Sequence, residues 1–127
     1  MPLLLASDPR PVHFVGIAGA GMSALAELFV RRGARVTGCD AHAAGADDLR
    51  ALGVDVVEGH DPSHVRDARA VVVTSAVPKD HPELAAARAA GLPVIRRAEA
   101  LAAAAAARGR PDAAARIAEQ ILRRLAA

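Results

Sequence analysis

Apolar and polar positions along the first hundred residues switch between the strand and the helix period. Val12-His13-Phe14-Val15-Gly16-Ile17 is a short β-rich run. A helical pattern follows from about 21 to 32, with Met22, Leu25, Leu28 and Phe29 on one side. Residues 35–39 predict a second strand, 47–52 a short helix and 55–58 a third strand. Residues 69–75 contain Val71-Val72-Val73, a continuous run typical of a strand buried on both faces. Residues 82–90 are helical and stop at Gly91, and Leu92-Pro93-Val94-Ile95 makes a fifth strand. An Ala-rich helix over 97–108 comes next, broken by Gly109-Arg110-Pro111. Pro111 suits the first turn of a last helix. There Ala114, Ile117, Ala118, Ile121, Leu122 and Leu125 form an apolar stripe, with Arg116, Glu119, Gln120, Arg123 and Arg124 opposite.

Strands alternating with helices at this spacing imply βαβ units and a parallel sheet. The expected fold is α/β: an open, Rossmann-like parallel sheet of about five strands in the order 3-2-1-4-5. Its switch point lies between strands 1 and 4. Residues 1–101 form this domain in the reading, and residues 102–127 an Ala/Arg-rich helical tail. No repeat is visible beyond the βα alternation.

Composition narrows the class. At 127 residues there is length for one domain. Hydrophobic residues are 53% but aromatics only 2%, and 33 alanines make up the difference, so the core is aliphatic and tightly packed. So many aliphatics exclude intrinsic disorder, and Cys39 as sole cysteine excludes a disulfide scaffold. The net charge of +2 is too small to announce a nucleic-acid binder, and no Tyr or Trp is present for bases to stack on. The charge is uneven: −2 over residues 1–95 and +4 over 96–127. The apolar start at residues 2–6 ends at Asp8 and Pro9, too short for a signal peptide. The alanine run at 102–107 is too short for a membrane span. The chain reads as soluble and cytoplasmic, without membrane insertion.

The strongest chemical signal is Val15-Gly16-Ile17-Ala18-Gly19-Ala20-Gly21-Met22, between a predicted strand and a predicted helix. Glycines allow a sharp turn and bring backbone N–H groups close to a phosphate, and the helix N-terminus adds partial positive charge. A diphosphate is the natural ligand. Against G-x-G-x-x-G the positions are Gly16, Ala18 and Gly21. Asp40 ends the second strand 19 residues after Gly21, where a Rossmann-type fold sets an acid against a ribose hydroxyl. A turn-forming role for Asp40 is the alternative. His60, in Gly59-His60-Asp61, reads as a ligand contact or a surface residue. Ser75, Ala76, Val77 and Pro78 leave the fourth strand facing the glycine loop across the switch point. The only lysine, Lys79, lies outside any G-x-x-x-x-G-K-[ST], so there is no P-loop. H-E-x-x-H, C-x-x-C and G-x-S-x-G are absent. The five histidines show no metal-ligand spacing, so neither a metal site nor catalytic residues are expected.

His13-Phe14-Val15-Gly16-Ile17-Ala18-Gly19-Ala20-Gly21-Met22-Ser23 resembles the opening of the UDP-N-acetylmuramate–L-alanine ligases of peptidoglycan synthesis, in the Mur ligase family. Gly38-Cys39-Asp40 resembles that family's Gly-Ser-Asp, and Gly59-His60 its Gly-His. Thr74-Ser75-Ala76-Val77-Pro78 with His81-Pro82-Glu83 resembles its S-S-A-[IV]-P…N-P-E segment. Pro93-Val94-Ile95-Arg96-Arg97-Ala98-Glu99 resembles the run that closes the domain. The likeness covers residues 12–101. It implies a module binding the UDP part of UDP-N-acetylmuramic acid. Gly19, Ala20, Gly21 and Met22 would hold the diphosphate through backbone N–H groups, Asp40 would contact the uridine, and His60 with residues 75–78 would flank the nucleotide or sugar. ATP and Mg would serve only a full-length ligase, whose P-loop domain this sequence lacks, so ligase activity is not expected of this chain alone. Ala18 and His81 depart from the pattern, which has Gly and Asn there. Residues 109–126 weakly resemble the C-terminal helix of the N-acetylglucosaminyltransferase that makes lipid II. Two other functions fit the residues: an NAD-binding domain working with another chain, and an interaction protein whose tail helix docks on a cell-wall enzyme or a second copy.

Overall fold

The computed structural model describes residues 10–106. Five strands, β1 (Val12–Val15), β2 (Val36–Asp40), β3 (Asp55–Glu58), β4 (Ala70–Val73) and β5 (Val94–Arg96), form one all-parallel sheet in the order 3-2-1-4-5. Four α-helices connect and cover them: α1 (Ala20–Arg31), α2 (Asp47–Ala51), α3 (Pro82–Ala89) and α4 (Arg97–Ala106). The topology is the one the alternation of periods predicts. Because β1 and β4 are neighbours while the chain leaves β1 toward β2, the crevice of the switch point opens between them.

The two faces of the sheet carry different cores. Val12, Phe14, Val36, Val72 and Ile95 face α1 and α4, meeting Met22, Leu25, Phe29 and Ala100. Phe14 and Phe29, the only aromatic rings besides histidine, meet edge to face at 5.4 Å. On the other face Val15, Cys39, Val71 and Val73 pack on Leu84 and Ala87 of α3 and on Val65. His13 belongs to this second face by strand alternation, and it is buried. An aliphatic strand thus delivers an imidazole into the interior.

The boundaries differ from expectation at identifiable places. β1 ends at Val15, not at Ile17, because Gly16 turns the chain with φ 78° while Ile17 dives into the core. A 3-10 turn over Ala43–Ala46 precedes α2. A second, over Pro62–Val65, starts where the Asp61 carboxylate accepts the Ser63 N–H at 2.8 Å. Helix α4 follows β5 without a loop and packs on α1, with Ala100 fully buried. The apolar stripe from Ala114 to Leu125 lies outside the described residues. Among the described residues, no helix is long and apolar enough to cross a membrane.

Candidate functional site

In a parallel sheet every strand ends on the same edge, so the segments that follow β1, β2, β3 and β4 converge there. The glycine loop follows β1. Gly16 and Ile17 both donate to the Cys39 carbonyl, at 2.8 and 3.0 Å, which continues the β1–β2 pairing for one turn before the chain swings away. The positive φ is confined to Gly16. Ala18 has an ordinary negative φ, so the missing second glycine does not strain the loop.

Asp40 clasps this loop. One carboxylate oxygen accepts the Ala18 N–H at 3.0 Å, and the other accepts the His42 N–H at 2.9 Å. The second bond is the turn-forming role; the first ties the end of β2 to the glycine loop. Each oxygen retains a lone pair, because a carboxylate has about four acceptor sites. The Asp40 carbonyl accepts from Gly59 at 2.8 Å, which draws the start of the His60 segment to the same corner.

Helix α1 starts at this loop with Gly19 as its N-cap. It has no side-chain cap and no acidic residue in its first turn. Ser23 donates to the Gly19 carbonyl at 2.8 Å, but the N–H groups of Ala20, Gly21 and Met22 precede the first intrahelical bond. Such uncommitted N–H groups give the helix N-terminus a partial positive charge. Beside it lies a residue that the sequence reading passed over. A Cβ on Gly21 would overlap the guanidinium of Arg97. Arg97 opens α4 straight after β5, so the sheet itself delivers its charge to the N-terminus of α1. The signal in the sequence was only its place in the closing run.

His60 is neither a plain surface residue nor clearly aimed at the loop. Its Nδ1 lies 3.0 Å from Glu83 Oε2, and its ring meets His81 edge to face at 4.5 Å. Glu83, absent from the expected site, is the hub here. It is fully buried near the start of α3, where its backbone N–H donates to His81 Nδ1 at 3.2 Å. Its carboxylate meets His13 Nε2 at 2.9 Å and accepts from the Cys39 thiol at 3.0 Å. Burial alone would raise its pKa. The hydrogen bonds from His13 and Cys39, the charge of His13 and the bond from His60 outweigh that and hold it down to about 2. Burial, then the neighbouring His60, push His81 below its usual value.

Ser75, Ala76, Val77 and Pro78 follow β4 on the same edge. Thr74 organises them: its hydroxyl accepts the Ala76 N–H at 3.2 Å and its carbonyl accepts from Val77 at 3.2 Å. A cavity of about 350 Å³ opens beside this turn, with Thr74, Ser75, Lys79, Arg88 and Arg96 on its wall. Hydrogen bonds join the glycine loop, Asp40 and Gly59 directly. His60 is tied to Glu83 instead, and residues 75–78 share the edge by strand order.

The pattern described as "Mur ligase family, catalytic domain" matches residues 11–108. The chain belongs to the Mur ligase family. Among curated Mur ligases, it is 53% identical over 91 residues to the UDP-N-acetylmuramate–L-alanine ligase of Acidothermus cellulolyticus, covering 71% of this chain and 19% of that one. With the same-named ligase of Streptomyces coelicolor it is 51% identical over 104 residues, 80% of this chain and 22% of the relative. Among solved structures, UDP-N-acetylmuramate-alanine ligase MurC from Thermotoga maritima superposes with a TM-score of 0.65 at 35% identity, over 69% of this chain and 21% of that one. The chain thus spans about a fifth of the length of the Mur ligases it matches, and it is similar to the N-terminal domain of MurC.

Proposed function

We propose that this Mur ligase domain binds UDP-N-acetylmuramic acid at the carboxyl edge of its sheet. The observation that carries the reading is the uncapped N-terminus of α1, set beside Arg97, with the preceding loop held at Ala18 by Asp40. The relatives named above are ligases of this sugar nucleotide. The diphosphate accepts from the Ala20, Gly21 and Met22 N–H groups, and Arg97 supplies the matching full charge. Asp40, having fixed the loop through Ala18, accepts a hydroxyl or imide proton of the uridine with its remaining lone pairs. Gly16 and Gly19 shape the turn. His60 and the loop of Ser75, Ala76, Val77 and Pro78 flank the nucleotide or sugar.

The sequence offers no P-loop for the phosphates of ATP. The single lysine, Lys79, sits before α3 and no G-x-x-x-x-G-K-[ST] loop exists in this sequence. In this reading the domain binds the sugar nucleotide, and carboxylate activation with ATP and Mg belongs to other parts of a ligase. The docking of residues 107–127 on a cell-wall enzyme or a second copy stays a separate expectation, and the cytoplasm is the compartment that supplies the ligand.

Competition calorimetry tests the reading, since the chain has no Tyr or Trp to report binding by fluorescence. UDP-N-acetylmuramic acid should displace UDP, outcompete UDP-N-acetylglucosamine, and leave NAD without measurable heat. NAD binding more tightly than UDP would overturn it in favour of a dinucleotide domain.

A further inference from the structure

We propose that His13, Cys39, His64 and Glu83 form a structural zinc site between the sheet and α3, adjoining the sugar-nucleotide site at His60. The four come from four separate elements: β1, β2, the Pro62–Val65 turn and α3. Each offers one ligand atom, and the four atoms lie within 4.8 Å of one another. No short spacing in the sequence could announce such a site, because the fold assembles it.

Glu83 sits at near-ligand spacing from the other three. Glu83 Oε1 is 2.9 Å from His13 Nε2 and 3.0 Å from Cys39 Sγ, and Glu83 Oε2 is 3.4 Å from His64 Nδ1. Bonds of the usual zinc lengths to N, O and S give a tetrahedron with edges of about 3.3–3.6 Å. The three contacts to Glu83 lie within about 0.7 Å of such edges, and the remaining pairs, within 4.8 Å of one another, close in around the ion as it binds. One thiolate, two imidazoles and a carboxylate are the donor set that selects zinc over magnesium or calcium. Thiolate and carboxylate together neutralise the dication, so the complex suits a buried place better than either anion does alone.

Two further features fit a ligand role. His64 Nδ1 is a buried ring nitrogen with no hydrogen bond, although it faces the carboxylate at 3.4 Å. A buried polar atom left in this state is rare and calls for a partner. His13 carries the supporting bond that metal-bound imidazoles have: its Nδ1 pairs with Thr37 Oγ1 at 2.9 Å, leaving Nε2 for the ion. Access is also present. A cavity of about 490 Å³ is lined by both His13 and His64 and reaches the surface past Arg10 and Asp67. When zinc binds, the Cys39 Sγ–H proton leaves to solvent and the sulfur lone pair takes its place on the metal.

Cobalt(II) and zinc(II) titrations of the full chain, under a phosphine reductant, test the site. Expected is one cobalt per chain, with the visible bands of a tetrahedral ion and a near-ultraviolet thiolate charge-transfer band, both lost when zinc displaces it. Cys39→Ser should remove the charge-transfer band. His64→Gln, at the edge of the core, should keep the fold and weaken metal binding by at least about tenfold. His81→Asn, which preserves the α3 cap, should leave the affinity unchanged. Absence of stoichiometric binding by folded protein overturns the proposal. So does an octahedral spectrum without charge transfer. Binding lost in His81→Asn but intact in Cys39→Ser overturns it too, because the metal then sits on His60, His81 and Glu83, the other cluster that could hold one.

Discussion

His13 Nε2 and Glu83 Oε1 lie 2.9 Å apart with side chains 2% and 0% exposed, a buried hydrogen-bonded pair that fastens the first strand to the third helix across 70 residues of sequence. Removing one member of such a pair leaves the other buried without a counterpart. Glu83→Ala is therefore expected to lower unfolding free energy by about 1–3 kcal/mol. Urea denaturation checks this, and a loss below about 1 kcal/mol would show that the contact contributes little.

The same carboxylate sets an acid limit for the metal-free protein. Its pKa falls from 4.5 to about 2 on folding. A depressed carboxyl contributes stability that is complete above its unfolded pKa and is lost as pH falls toward the folded one. The expected loss is about 3 kcal/mol between pH 4.5 and about 2. Denaturation midpoints measured across that window test it; a flat profile would mean that Glu83 titrates normally.

Gly21→Val is expected to abolish nucleotide binding while leaving the protein folded. The new side chain meets the far end of a flexible Arg97 rather than backbone, so the fold can yield. The same side chain occupies the approach to the α1 N-terminus. Unchanged affinity for UDP in a folded Gly21→Val protein is incompatible with the proposed site.

Arg97→Ala separates charge from shape. It removes the guanidinium but leaves the glycine loop and Asp40 in place. Affinity for UDP-N-acetylmuramic acid should fall by about tenfold or more, as expected for a charge-assisted hydrogen bond. The salt dependence of binding should fall with it. An affinity within about a factor of two of the wild type would remove Arg97 from the site.

Gly38→Ala tests the core beneath the loop. A Cβ there would collide with several atoms of the Ile17 side chain, which has no room to retreat. Overpacking of this kind costs about 1–3 kcal/mol, and a thermal melt of the variant measures it. A melt no lower than that of the wild type would mean that Ile17 repacks freely.

How legible these features are depends on whether their cause is local. The Val71-Val72-Val73 run and the α1 stripe of Met22, Leu25 and Phe29 are periodic signals, and the sheet order follows from the alternation they define. The turn at Gly16 and the place of Asp40 at the end of β2 are also readable, because both are short-range patterns, whereas the bond from Ala18 to Asp40 joins residues 22 apart and is not. Arg97 and Glu83 are not. Arg97 reaches the α1 N-terminus only because β5 and β1 lie on either side of β4 in the sheet. Glu83 looks like an ordinary first-turn acid of a helix, and only tertiary packing turns it inward to His13 and Cys39. The histidines likewise show no motif, because His13, His60 and His64 meet Glu83 from different elements.

The central claim is most directly tested by amide chemical shifts of the 15N-labelled protein during titration with UDP-N-acetylmuramic acid. Saturable shifts are expected, concentrated at Gly19, Ala20, Gly21, Met22 and the Asp40 corner. Resonances of β3 near Asp55 and Val56, far from the carboxyl edge, should stay still. Absence of shifts in folded protein at millimolar ligand, or shifts confined to sites away from the glycine loop, would contradict it.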